Sequence, residues 1–192
     1  MGIVKKLQAP QQGVQIVSSA LSDLQGHPGN AALLGGAAVD LSQALPVFQL
    51  RLSDITQAVN IGAARLVGWR YLISRQGTAA YGYADVAVTE KGGIQFSSFA
   101  SNRNGARLVE AVRLAEQAAE ALPSEEHEAR ILDVPALKLS MIWLAGTTAK
   151  FIPFIDGRQL GDWTPRVLAA DELFERLVLD ARLARQSSLD GG

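Results

Sequence analysis

Asp85 falls in a run, residues 78–88, whose alternation puts Tyr81, Tyr83 and Asp85 on one side of a strand, with Trp69 and Arg70 on the strand before it. A carboxylate, two phenols, a guanidinium and an indole can hold a small molecule by hydrogen bonding and stacking. A carboxyl in such a pocket can also serve as an acid or base in hydrolytic or isomerising chemistry. The simpler expectation is a sheet with one wet face, on which Asp85 meets solvent. Alternation likewise sets Trp69 and Tyr71 opposite Arg70, which makes the aromatics core and the arginines rim. Trp69, Arg70, Tyr81, Tyr83 and Asp85 are therefore the candidate ligand-binding residues, and no catalytic set is complete.

Other chemistries fail on spacing. The two histidines, His27 and His127, would need a carboxylate to complete a three-ligand zinc site, since the chain has no cysteine. Glu125, Glu126, His127 and Glu128 stand together, but a short charged run after the helix-ending Pro123 reads as a solvated loop. His27 lies within a Gly-His-Pro-Gly turn. Neither GxxxxGK[ST] nor GxGxxG after a strand occurs, and no serine sits in GxSxG. A calcium loop starting at Asp156 has Gly161 at the turn position but Arg158 and Leu160 where oxygen ligands belong. Glycosidic chemistry needs two facing acids, and Glu90 and Asp133, near turns, have no spacing that brings them to Asp85. No metal or cofactor is expected.

Arg65, Arg70, Arg75, Arg103 and Arg107 are interleaved with aromatics, a pattern that can stack bases and hold phosphates. Residues 61–122 carry seven basic and five acidic side chains, a surplus of two that is too small for a nucleic-acid footprint.

The elements that must position these residues follow from periodicity. Residues 14–24 have helical spacing, 47–52 form a strand, and Ser53 or Asp54 caps a short helix bearing Ile55, Ala58 and Val59. Strands at 66–74, 78–88 and 94–99 make a meander, with a turn at Gln76 and Gly77 and a hairpin turn through Glu90, Lys91, Gly92 and Gly93. Ser101 to Gly105 form a polar turn into a long helix over 106–122, with Leu108, Val112, Ala115, Ala119 and Leu122 as its stripe. Strands follow at 129–132, 137–144 and 150–155, where Pro153 requires a sheet edge or bulge. A helix over 171–185 closes the chain, and residues 187–192 fray.

These elements predict an α+β class: an antiparallel sheet made of a meander, a long helix and further strands, with helices packed on one face and a C-terminal helix. The chain of 192 residues is 48% hydrophobic and 19% charged, enough to bury a large core and too little charged to stay unfolded. Residues 1–45, rich in Gly, Ala and Gln and poor in charge, read as an N-terminal arm with a short helix, and 46–192 as a single α+β domain. The formal net charge of −1 provides no global attraction for nucleic acid or acidic lipid. No stretch reads as a signal peptide or membrane helix, so a soluble cytoplasmic protein is expected.

Two functional expectations result. The first is a non-catalytic module acting through protein association, as a homo-oligomer or adaptor, using a sheet edge or its apolar N-terminal region. The alternative is a small-molecule-binding protein or hydrolase with a pocket between a curved sheet and the long helix.

Overall fold

Two meanders, each followed by a helix, share one sheet. The fold comes from a computed structural model, which describes residues 3–5, 7–26, 39–75, 82–100, 103–121, 126–157 and 164–189. In chain order the elements are β1 (Ile3–Lys5), α1 (Gln11–Gln25), β2 (Val39–Gln49), β3 (Arg65–Arg75), β4 (Gly82–Val88), β5 (Ile94–Ala100) and α2 (Arg103–Ala121). There follow β6 (Glu126–Val134), β7 (Leu139–Ala145), β8 (Lys150–Asp156), β9 (Leu168–Ala169) and α3 (Ala170–Leu189). The sheet order is β5-β4-β3-β2-β6-β7-β8-β9, with β1 beside the start of β6. The fold is α+β, with a mostly antiparallel nine-stranded sheet and a C-terminal helix.

The predicted turn between β4 and β5 forms through Gly92, whose φ of 77° favours a residue without a Cβ, and Thr89 N donates to Gly93 O at 2.8 Å. Pro153 lies next to a register shift between Ser140 and Met141 and beyond the two β8 residues that pair with β9, so its missing N–H breaks no ladder.

Two local expectations differ from what is seen. Residues 52–59 form no α-helix: Leu52–Asp54 is a single 3-10 turn, and Ile55 bridges back to Val59. Arg185 of α3 reaches this turn and donates to the carbonyls of Leu52 and Ile55, satisfying oxygens that a continuing helix would have used. The run from Glu126 to Glu128 is the start of β6 rather than a loop. It pairs in parallel with β1 on one side and with β7 on the other, and His127 is fully buried. The mostly antiparallel sheet expected from the sequence also holds a parallel junction, where β6 pairs with β2 through Val47–Ile131, Phe48–Leu132 and Gln49–Asp133. After α2 crosses the sheet, the second meander starts in the same direction as the first.

The helices divide between the two faces rather than sharing one. On one face α2 lays Leu108, Ala111, Ala115 and Ala119 over Leu45, Val47, Leu72, Ile131, Ile142 and Ile152. The small alanines allow its backbone to sit close to the strands. On the other face α1 places Val17 and Leu21 on Trp69, Tyr71 and Ile73, and α3 places Leu173, Leu177 and Ala181 on Leu132, Met141 and Phe151. Among the described residues no helix is long and apolar enough to cross a membrane.

Candidate functional site

Arg70 of β3 and Asp85 of β4 are direct partners in the antiparallel register, and Asp85 is in turn opposite Ser98 of β5. Cross-strand neighbours on one face lie close enough for side-chain bonding. Arg70 Nε donates to Asp85 Oδ1 at 2.7 Å and its Nη2 to Oδ2 at 2.9 Å, a two-pronged pair. Ser98 Oγ donates to Asp85 Oδ2 at 3.1 Å. The guanidinium carbon stands 4.2 Å from the centre of the Tyr83 ring.

The same guanidinium reaches the other meander. Its Nη2 is 3.7 Å from Asp133 Oδ2 of β6, and its carbon is 5.7 Å from the centre of the Phe154 ring of β8. In a flat sheet, β3 and β8 would be four strand spacings apart, about 19 Å. An arginine and a phenylalanine span that gap only if the α2 face is concave. The cluster therefore lines the inside of a curved sheet, beside the helix that covers it.

Burial sets the electrostatics. Arg70 is only 5% exposed, and the side chains of Asp85 and Asp133 are 18% and 20% exposed. Burial pulls the Arg70 guanidinium down, but the Asp85 hydrogen bond and the Asp85 and Asp133 charges outweigh it, so its proton is held more firmly than usual. Asp133 moves the other way. Burial raises its carboxyl above the ordinary value, against the Arg70 charge and a hydrogen bond with Ser140. Burial also raises the Tyr83 phenol, against the pull of Arg70.

Among the described residues, two polar atoms in this cluster are buried without a hydrogen-bond partner: Arg70 Nη1, a donor, and Asp133 Oδ1, an acceptor. A buried polar group left unmatched costs about 1–3 kcal/mol, and here one of the two is a donor and the other an acceptor. A molecule or water presenting an acceptor next to a donor would satisfy both.

Of the five residues singled out by sequence, Arg70, Tyr83 and Asp85 come together on the α2 face. Trp69 lies on the opposite face in the α1 core. Tyr81 lies outside the described residues. Arg70 is interior rather than rim, and Asp85 is largely covered and ion-paired rather than facing solvent, because α2 and the curvature close a face that alternation alone leaves open. Asp133, Ser98, Ser140 and Phe154 were not anticipated. In β6, alternation puts Ile131 and Asp133 on one side and Leu132 and Val134 on the other, a signal masked by the adjacent Pro135.

A second cation lies on the reverse face. Arg130 is held between Phe48 and Trp143, 4.8 and 4.7 Å from their ring centres, and pairs with Glu128 at 2.5 Å. It borders a cavity of about 350 Å³ lined also by Glu126, His127, Ala145 and Gly146. Among the described residues no three His, Asp or Glu side chains converge as metal ligands. No known protein family, no curated protein and no solved structure matches the chain.

Proposed function

We propose that the chain is a binding protein for a small polar molecule, held on the concave face between the sheet and α2. The carrying observation is the pair of buried, unmatched atoms of opposite sense, Arg70 Nη1 and Asp133 Oδ1, on side chains already in contact. One guanidinium and two carboxylates share the site, so a polyanion would be repelled. A neutral edge with an acceptor beside a donor, such as a carboxamide or ureido group, fits: its carbonyl accepts from Arg70 and its N–H donates to Asp133. Tyr83 and Phe154, which flank the guanidinium, supply apolar walls.

The test joins native mass spectrometry of the purified protein with ligand-observed NMR against a library of small carboxamides and ureas. A retained adduct or a library binder, lost in Asp133→Ala, is the expected result. An unoccupied protein that binds no library member, or binding that Asp133→Ala leaves intact, would remove the proposal.

Association with another chain is the second reading. One observation favours it: Leu179 and Leu183, one turn apart on α3, are 54% and 52% exposed.

A further inference from the structure

The outward face of α3 has more order than two stray leucines. Glu175, Leu179, Arg182, Leu183 and Gln186 are all exposed. At 100° per residue they fall within one stripe about a quarter of the helix circumference wide, opposite the buried Leu173, Leu177 and Ala181. Glu175, Leu179, Arg182 and Gln186 follow spacings of four, three and four, the repeat by which two helices keep a common seam. The charges are ordered too. Glu172 and Glu175 lie towards the start of the stripe and Arg182 towards its end. Among the described residues neither Glu175 nor Arg182 has an ion-pair partner.

A stripe that is acidic at one end, apolar in the middle and basic at the other is complementary to itself when reversed. We propose that α3 pairs with the α3 of a second copy of the chain, antiparallel about a two-fold axis beside Leu179. The inference rests on the association reading above and names its partner. Glu175 of each protomer then meets Arg182 of the other, the two Leu179 side chains touch at the axis, and the helix dipoles oppose. At the edge of the stripe, Leu183 borders a cavity of about 280 Å³ lined by Ala136, Leu137 and Ala184 together with Lys138 and Asp180.

The edge strand β5 is the competing surface for self-association, and its geometry disfavours that use. Asp85 pairs with Ser98 but Val86 with Phe96, which leaves Ser97 as an extra residue. Such a bulge interrupts the ladder that an added strand would extend.

A single helix pair sits at the small end of specific interfaces, so the dimer should be weak and concentration-dependent. Sedimentation velocity from about 1 to about 200 μM is the measurement, with circular dichroism as a control that each variant is folded. The wild type should shift from monomer to dimer across this range. Glu175→Arg and Arg182→Glu, each placing like charges opposite one another, should each weaken the dimer by about tenfold or more. An equimolar mixture of the two single variants should restore a dimer, as should the double variant alone, because both arrangements re-create opposite charges across the axis. A wild-type dimer that the single variants leave intact, or a mixture that stays monomeric, would overturn the α3 pairing while leaving association by another surface standing. A wild type that remains monomeric throughout would overturn the self-association itself.

Discussion

Asp133 is the residue whose behaviour separates a working polar site from an ordinary surface acid. With its carboxyl raised by burial, the native chain keeps the Asp133 proton to higher pH than the unfolded chain does. The native state therefore binds more protons across the window between the ordinary carboxylate value and the raised one, and stability falls as pH rises through it. Below that window the penalty is absent; above it the penalty is complete. Asp133→Asn retains the shape without the titration. Its stability relative to the wild type, the unfolding free energy of the variant minus that of the wild type, should therefore be greater at about pH 7 than at about pH 4, as read from urea unfolding at both. A difference independent of pH would show that Asp133 titrates alike in the folded and unfolded chain. The sequence allowed Arg70, Tyr83 and Asp85 to be grouped, because period-2 alternation is local. It could not reveal Asp133 as their neighbour, since that contact needs β2 between β3 and β6 and a curved sheet.

The seating of α1 depends on one missing methyl. A Cβ at Gly13 would lie 2.0 Å from the Tyr71 hydroxyl oxygen and 2.9 Å from the ring carbon bearing it. Gly13→Ala should therefore destabilise the protein by about 1–3 kcal/mol, despite alanine's better helix propensity. The Tyr71 hydroxyl is itself buried with no partner among the described residues, so Tyr71→Phe alone should be neutral or stabilising by up to about 1 kcal/mol. In urea denaturation the double variant should lose less than the single variants sum to, because removing the hydroxyl relieves the nearer clash. Additive effects would place Gly13 and Tyr71 out of contact. Helical spacing made α1, α2 and α3 legible, as alternation did β3, β4, β5 and β7. The misread stretches were those where a partner distant in sequence overrides local preference. Residues 52–59 are held in a turn by Arg185 from the far end of the chain, and the charged run before β6 becomes a strand because β1 and β7 flank it.

At the scale of the molecule, α1 covers a surface that is otherwise among the most apolar in the chain: Trp69, Tyr71, Ile73, Ala84 and Val86. A chain lacking residues 1–26 should expose that face, bind a hydrophobic dye under native conditions and unfold with lower cooperativity than the full chain. Dye binding and a melting transition equal to those of the full chain would show that the face is covered by other means. The α+β class was legible because blocks of alternation separated by one long amphipathic helix leave few alternatives. The order of strands was not. Nothing local in β2 or β6 marks them as parallel neighbours, a relation set by where α2 delivers the chain.

That neighbour relation has a mechanical side. Among the described residues, three rungs, at Val47, Phe48 and Gln49, bind the first meander to the second along β2 and β6, reinforced by the Leu50 amide donating to the Asp133 carbonyl at 2.9 Å. The Arg70 guanidinium, anchored on Asp85, adds a stitch across this junction to Asp133. Whatever grips both sides of the stitch would also hold the two halves shut, and amide exchange at residues 47–49 is where its arrival would first be felt.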